Sequence, residues 1–344
     1  MIPSFGPANS KVMLVFDSPM PAQLAKNNFM GGYVGGYLTG LFEPVKGIDS
    51  TYKTFLSREA IPTGTRNVLQ YLSSKEIDYT KYLLGEVNEI KPNVIIASGE
   101  GTLEFFTGLS GIRKYRGSIL PLSPLIRQKF KKTTTKIAPI LPLDEIRKDM
   151  RNWVVAQSDI RKAWKFKDNN QSFKEHAYPW ICRSASSFRN YLHRNANPEF
   201  ITTDTEIWNG YVDCASLCSD GYEGVCIPLL GNLKITDLEL ALIWKLLADY
   251  LCSGIPIVNQ NIRFDEYYYR KYGFELKNIV GDTMVLAATV YPELPKSLGF
   301  LNSLYTDLIY FKDEGKQIHP LSSNAERRYI YCAKDAISTH QCFS

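Results

Sequence analysis

The chain has 344 residues, of which 44% are hydrophobic and 22% are charged, a composition typical of a soluble globular protein rather than a disordered one. The sequence has no run of about 18 apolar residues that could cross a bilayer, and its N-terminus lacks a signal-peptide pattern, so a cytoplasmic location is expected. The net charge of +5 is uneven: residues 1–180 hold 25 Lys and Arg against 16 Asp and Glu, whereas residues 181–344 hold 15 against 19. This asymmetry favours a nucleic-acid protein whose acidic half binds metal, and drift of charge between two domains is the alternative.

In the first half, apolar runs alternate with helical periodicity. This alternation predicts an α/β domain over 1–166, with a mostly parallel sheet between layers of helices. The polar stretch that follows predicts an interdomain linker over 167–180. The strands are predicted at 11–18, 93–98 and 136–143, and the helices over 65–92 and 145–166.

The second half, residues 181–344, predicts a separate domain with a mixed sheet and helices. Three β-rich runs separated by Gly and Asp predict hairpins. A helix is predicted from a cap at Thr236 or Asp237 to Gly254, and a short strand and mostly helical segments follow. The seven cysteines form no C-x-x-C pair, so their spacing predicts reduced, mostly buried thiols and no zinc or iron–sulfur site.

Acidic residues recur in three separate segments of this second domain. In "TDTEIW", Asp204 and Glu206 alternate along a strand and therefore share one face. Asp265 lies in a starting helix, and in "YIYCAKDA" Tyr331 and Asp335 share a helix face. Buried carboxylates that converge repel one another unless cations neutralise them, and oxygen-only sites suit Mg²⁺ or Mn²⁺. Each segment alone is typical of solvated acids or a helix cap, but all three together favour a two-metal phosphodiesterase site in which Tyr331 orients the water.

The motifs "TDTEIW", "NQNIRFDEYYYRKYGFEL" and "YCAKDA" resemble those of the 3′–5′ proofreading exonuclease domain of family A DNA polymerases, in the DnaQ-like superfamily. Ribonuclease D shares this tyrosine-bearing layout. The resemblance covers about 197–343 and implies a ribonuclease H-like fold that removes nucleotides from DNA 3′ ends. It implies two Mg²⁺ or Mn²⁺ ions and assigns roles to Asp204, Glu206, Asp265 and Asp335 as metal ligands, to Tyr331 as the residue that positions water, and to Asn261 as a support near the substrate backbone.

Trp208, which follows Glu206 by two residues, is a candidate for stacking on a terminal base. Aromatic side chains provide sequence-tolerant platforms for single strands. The alternative is a buried core tryptophan.

The first domain carries a second resemblance. The stretches "VMLVFDSPMPAQLAKNNFMGG" and "IKPNVIIASGEGTLEFFTGLSGIRKYRGSIL" resemble the uracil-DNA glycosylase superfamily over about 8–166. The resemblance implies a three-layer α/β fold, with Asp17 in place of the acid of the first motif and Phe29 in place of the base-stacking aromatic. Leu141 stands where the family carries a histidine, and a leucine cannot donate a hydrogen bond to an extruded uracil. A degenerate glycosylase site in a domain that still binds DNA is therefore expected.

A basic loop in the same domain is the candidate DNA contact. Cationic side chains at close spacing can approach one stretch of phosphate backbone and add salt-dependent affinity. A solvated loop that keeps the domain soluble is the alternative. The candidates are Arg127, Lys129, Lys131 and Lys132.

Together these features predict a metal-dependent 3′–5′ exonuclease that serves as the proofreading part of a family A-type replicative polymerase, as in some phage enzymes. The expected partners are DNA and a polymerase, with no membrane. The polymerase is either a separate subunit or another part of a longer chain of which this sequence is a fragment, and the location is the host cytoplasm if a phage encodes the protein. The alternatives are a uracil-excision repair enzyme and a non-catalytic DNA-binding replication subunit.

Overall fold

The computed structural model describes residues 2–62, 64–65, 67–75, 79–230, 235–315 and 317–344. The chain divides into two units, Met1–Lys174 and Glu175–Ser344, each with its own sheet. Among the described residues, no helix is both long and apolar enough to cross a membrane. The predicted α/β class with two sheets and flanking helices is confirmed.

Apolar runs form the interior of the first sheet. Its strands are β1 (Val12–Phe16), β2 (Tyr52–Phe55), β3 (Val94–Ser98), β4 (Leu120–Pro121) and β5 (Lys136–Ile140). The order is β2-β1-β3-β5-β4; β4 pairs antiparallel with β5, and the other pairs are parallel. The three predicted strands correspond to β1, β3 and β5, which are buried along their whole length, as expected of parallel strands covered on both faces. The pattern misses β2 because this short strand buries Lys53 and Thr54.

Helices cover the first sheet. They are α1 (Pro21–Lys26), α2 (Tyr33–Phe42), α3 (Val68–Ser74), α4 (Tyr79–Ile90), α5 (Glu100–Thr107), α6 (Ile112–Tyr115), α7 (Pro124–Arg127), α8 (Leu143–Lys148) and α9 (Arg151–Lys165). The segment predicted as helical over 65–92 contains α3 and α4, and its residues 66 and 76–78 lie outside the described part of the chain. The helix predicted over 145–166 is two helices, because Asp149 adopts an extended conformation and ends α8. Ala156, Ile160 and Ala163 place one face of α9 in the apolar core of this unit.

The second sheet is mixed, as predicted. Its strands are β6 (Tyr178–Ile181), β7 (Ile201–Trp208), β8 (Tyr211–Cys218), β9 (Glu223–Pro228), β10 (Ile257–Asn259) and β11 (Ile279–Asp282). The strand order is β11-β10-β7-β8-β9-β6. Strand β8 pairs antiparallel with both β7 and β9, which confirms the predicted hairpins. The linker predicted over 167–180 differs from the structure at its end, because 178–180 belong to β6, which pairs in parallel with β9.

Six helices of the described residues belong to the second unit: α10 (Ala185–Arg194), α11 (Asp237–Leu251), α12 (Ile262–Lys271), α13 (Thr283–Val290), α14 (Leu298–Tyr305) and α15 (Ala325–Phe343). The predicted cap of α11 is confirmed, because the Thr236 side chain accepts a hydrogen bond from the backbone N–H of Glu239.

Helix α15 packs directly on β6 to β9. Two strand hydroxyls tie it to the sheet: Thr202 Oγ1 donates to the Ala336 carbonyl at 2.7 Å, and Ser216 Oγ donates to the Cys332 carbonyl at 2.9 Å. The close approach depends on Gly224 of β9. A Cβ at this position would lie 2.6 Å from Cγ1 of Ile337 and 2.7 Å from the carbonyl oxygen of Ala333.

We expect Gly224→Ala to destabilise the protein by about 1–3 kcal/mol, the usual cost of overpacking, because backbone atoms of α15 must move. The control is Gly85→Ala in α4, where a Cβ meets no atom within 4 Å. That change should be neutral or stabilise by up to about 1 kcal/mol. Urea unfolding of the two variants provides the comparison, and a Gly224→Ala protein as stable as the wild type would contradict the packing described for α15.

Candidate active site

Three secondary-structure elements deliver carboxylates to one place in the second unit. β7 supplies Asp204 and Glu206 from one strand face, α15 supplies Asp335, and α12 adds Asp265 beside them. Oxygen atoms of Asp204, Glu206 and Asp335 lie within 4.8 Å of one another. β7 lies between β8 and β10 in the sheet, so its two acids are held on an interior strand.

Asp265 of α12 adjoins this carboxylate cluster but is held by its own hydrogen bonds. Its Oδ1 accepts from the backbone N–H of Thr205 at 2.9 Å and from the Thr205 hydroxyl at 2.7 Å. Its Oδ2 accepts from Nδ2 of Asn259 at 2.8 Å. These neutral donors fix the orientation of a buried carboxylate, and its charge is felt by Asp204.

Burial and mutual repulsion raise the pKa values of these acids. Burial raises the pKa of Glu206 to about 7, against the opposing effect of Arg328, and raises that of Asp265 to about 7 against the hydrogen bonds from Thr205. The pKa of Asp204 is raised well above its ordinary value, first by burial and then by the charges of Asp335, Asp265 and Glu206. Four ionised acids are therefore costly here unless cations neutralise them.

Two basic side chains that sequence reasoning missed contact the cluster. Lys312 Nζ lies 2.6 Å from both carboxylate oxygens of Asp335. Arg328 lies 3.1 Å from Glu206, donates its Nε–H to Asp213, and donates from Nη2 to the Ile207 carbonyl at 3.2 Å. Arg328 precedes Tyr331 on α15 by almost one turn, so the helical spacing in the sequence could have indicated that it lies near the cluster. Lys312 lies in a segment without helix or strand, so no periodic pattern indicates where its side chain lies.

Tyr331 borders the cluster and is only 2% exposed. Burial raises the pKa of its hydroxyl, and the charges of Asp335, Glu206 and Asp204 raise it further. The phenol therefore remains protonated at neutral pH and can act as a hydrogen-bond donor.

The residues present fit a hard divalent cation. The cluster offers carboxylate oxygens from three side chains, the ligand set that Mg²⁺ and Mn²⁺ prefer. No nitrogen or sulfur ligand belongs to this group of three, which distinguishes it from a typical zinc site.

A second cluster, made of three thiols, adjoins the acids through the contact of Cys332 with Asp204. Sulfur atoms of Cys214, Cys226 and Cys332 lie within 4.8 Å of one another, from β8, β9 and α15. Burial raises the pKa of each thiol well above its ordinary value, so all three are neutral. The Cys332 thiol donates to the backbone oxygen of Asp204 at 3.6 Å. The spacing of the cysteines could not reveal this cluster because its members come together only in the folded sheet.

The other predicted contact residues of this unit lie at the ends of elements. Asn261 is exposed and takes the left-handed conformation before α12, with φ 58°, and its N–H donates to Asp282 at 3.0 Å. Asp282 also accepts from the N–H of Met284 at 2.8 Å, which makes it the cap of α13. Trp208, at the end of β7, makes an edge-to-face contact with His319 at 4.6 Å between ring centroids.

In the first unit, the predicted basic loop has two kinds of lysine. Lys129 and Lys131 are exposed, and the Asn88 side chain holds their backbone by hydrogen bonds of 3.0 and 2.7 Å. Lys132 is different: its ammonium donates to the side chain of Asn93, and burial lowers its pKa. Arg127 is exposed at the end of α7.

The residues assigned to a degenerate glycosylase site have structural contacts. Phe29 is 1% exposed and stacks on Phe16, with centroids 5.4 Å apart. Leu141 is buried in the same core. The Asp17 carboxylate accepts from the N–H of Thr102 at 2.7 Å and from the N–H of Gly101 at 3.1 Å, both in the first turn of α5.

Known structures resemble this chain across about half of its length. No protein-family profile and no curated protein matches the sequence. The chain is similar to the Nibbler EXO domain of Aedes aegypti, with 16% identity, a TM-score of 0.37, and 48% of this chain and 85% of that chain covered. It is also similar to RNase D of Escherichia coli, an exoribonuclease involved in structured RNA processing (20% identity, TM-score 0.35, 47% and 42% covered). A third similar structure is the catalytic core of RRP6 from Trypanosoma brucei (14% identity, TM-score 0.37, 50% and 48% covered).

The match spans less than half of the last two chains.

A pH-dependent stability is expected from Asp17, because burial raises its pKa from 3.8 to about 6. The folded state keeps this proton up to about pH 6, whereas the unfolded chain releases it near pH 4. The free energy of unfolding should therefore fall as the pH rises from 4 to 6, by up to about 3 kcal/mol, and then level off. Urea unfolding of wild type and Asp17→Asn at several pH values tests this. The stability of the wild type should decline relative to that of Asp17→Asn over this range, and parallel curves would contradict the assignment.

Proposed function

We propose that the second unit is a metal-dependent 3′–5′ exonuclease that removes nucleotides from DNA ends. One observation carries the proposal: the carboxylates of Asp204, Glu206 and Asp335 converge within 4.8 Å, beside a protonated Tyr331. A group of partly buried acids with this spacing is costly for a fold and is useful when it holds divalent cations.

The residues around the cluster supply the remaining parts of phosphodiester hydrolysis. Asp204, Glu206 and Asp335 would hold the cations, with Asp265 beside them in an orientation fixed by Thr205. When bound, two such cations activate a water and stabilise the leaving oxygen. The hydroxyl of Tyr331 would orient the attacking water by a hydrogen bond, which is a positioning role.

The outer face of α12 supports binding of a single strand. Phe264 is 46% exposed and Tyr267 is 56% exposed, on the helix that carries Asp265 on its buried side. The Phe264 and Tyr268 rings lie 5.1 Å apart, and the Lys271 ammonium lies 4.5 Å from the Tyr267 ring centroid. Exposed aromatic rings with an adjacent cation suit unpaired bases and phosphates of DNA or RNA.

The finer assignment to DNA proofreading rests on the motif resemblance to family A polymerases. In this proposal the first unit is a glycosylase-like DNA-binding module, and the partner is a separate polymerase subunit. A second candidate function is a non-catalytic DNA-binding subunit. The ion pair between Lys312 and Asp335 favours it, because an ammonium already compensates one of the carboxylates.

Removal of single carboxylates tests the proposed activity. Asp204→Asn and Asp335→Asn should each abolish mononucleotide release from 3′-labelled single strands in Mn²⁺. The rate should fall by more than the roughly 10–100-fold loss that follows removal of a residue that only supports a metal ligand. Tyr331→Phe should slow release and leave Mn²⁺ binding unchanged. The control is Asp249→Asn, an exposed acid of α11 that pairs with Lys245. DNA and RNA strands assayed in parallel identify the substrate, and wild-type rates in Asp204→Asn would refute the active site.

The basic loop can be tested separately from the cluster. The double change Lys129→Ala and Lys131→Ala should raise KM without lowering kcat, because it removes binding that is equal in the ground state and the transition state. The log–log salt dependence of binding to single strands should become shallower by about 0.7 for each lysine that bound a phosphate in the wild type. Lys245→Ala controls for net charge. An unchanged affinity and salt slope would show that the loop is only a solvated surface.

A further inference from the structure

Lys312 places a positive charge where the carboxylate cluster would take a metal cation. Its ammonium lies 2.6 Å from each oxygen of Asp335, and thus bridges both oxygens of a carboxylate that the proposed function assigns to metal. The side chain of Lys312 is 17% exposed and that of Asp335 is 5% exposed. This is a largely buried ion pair rather than a solvated surface contact.

The segment that carries Lys312 is fitted closely to α15. Phe311 is buried and meets the Tyr331 ring edge-on at 5.9 Å. Gly315 lies so close to the same side chain that an added Cβ would be 2.4 Å from the Tyr331 Cβ. Glu314 pairs with Lys334 of α15 at 2.9 Å. Contacts on both sides of Lys312 therefore hold its backbone against the helix that provides Asp335.

The second basic side chain of the site is held differently. Arg328 is 3% exposed and is shared among Glu206, Asp213 and the carbonyl of Ile207, so it is a fixed part of the buried core. The ammonium of Lys312 is carried on a flexible four-carbon stem and has Asp335 as its carboxylate partner. The Lys312 ammonium also lies 4.5 Å from the centroid of the Tyr331 ring. Rotation of the stem would move this ammonium away from Asp335, whereas three polar partners hold Arg328 in place.

We propose that Lys312 is an internal cation that occupies Asp335 when metal is absent and competes with divalent metal for this carboxylate. An ammonium and a divalent cation repel each other, so binding of both to the same two oxygens is unfavourable. Metal entry therefore requires Lys312 to withdraw, so the residue stabilises the metal-free site and weakens metal binding. The inference rests on the proposed function, because it assumes that the cluster takes a divalent cation.

Calorimetric titration with Mn²⁺ alone, without nucleic acid, tests the competition. Lys312→Met retains most of the side-chain volume and removes the charge, and it should bind Mn²⁺ with a dissociation constant at least about fivefold below that of the wild type, the lower end of a typical coupling between sites. Lys312→Gln is a second neutral variant in case the first does not fold. Lys245→Met, at an exposed position of α11, removes the same charge far along the chain from the cluster and should bind Mn²⁺ like the wild type.

Thermal unfolding provides an independent readout. In EDTA the neutral Lys312 variants should melt below the wild type, because Asp335 loses its counter-charge, and Mn²⁺ should raise their melting temperature more than that of the wild type.

The outcomes separate this inference from the proposed function. Equal or weaker Mn²⁺ binding by Lys312→Met and Lys312→Gln, with clear binding by the wild type, would overturn the competition and leave the metal site intact. If neither the wild type nor the variants bind Mn²⁺, the metal site itself fails, and the competition fails with it.

Discussion

Repulsion among partly buried carboxylates is the constraint on which the second unit depends. Asp204 and Glu206 alternate on β7, and Asp335 approaches them from α15, so their oxygens are confined within 4.8 Å. A fold gains no stability from such an arrangement unless positive charge is brought to it. Lys312 and Arg328 bring that charge in this structure, yet burial, with a smaller contribution from the Asp335 charge, still raises the pKa of Glu206 against the effect of Arg328. The remaining demand for positive charge is what makes the cluster suited to divalent cations.

Helix α15 connects this electrostatic requirement to the fold. The helix carries Asp335, and hydroxyl groups of Thr202 and Ser216 bind its carbonyls from β7 and β8. Gly224 lets β9 approach the same helix closely. The contacts that stabilise the helix against the sheet also fix the distance between the strand acids and the helix acid. Stability and site geometry are therefore properties of one interface.

Local patterns predicted the interior strands of the first sheet, the hairpins of the second sheet and the acids of the cluster. Alternation along β7 was enough to place Asp204 and Glu206 on one face, because the strand period is fixed by backbone geometry. The Thr236 cap of α11 was also predictable from local sequence, because its hydrogen bond joins residues only three positions apart. Lys312 and the hydrogen bond from Asn259 to Asp265 were not predictable, because each depends on which elements meet in three dimensions. The thiol cluster was not predicted for the same reason. Strand β2 was not predicted because the buried Lys53 interrupts its apolar pattern.

The most direct test of the metal-site account is anomalous X-ray diffraction from crystals of the full chain equilibrated with saturating Mn²⁺, recorded at the manganese absorption edge. We expect a strong anomalous peak among the carboxylates of Asp204, Glu206 and Asp335, with Asp335 no longer in contact with Lys312. A map without an anomalous peak at this cluster, with Lys312 still bridging both oxygens of Asp335, would contradict it.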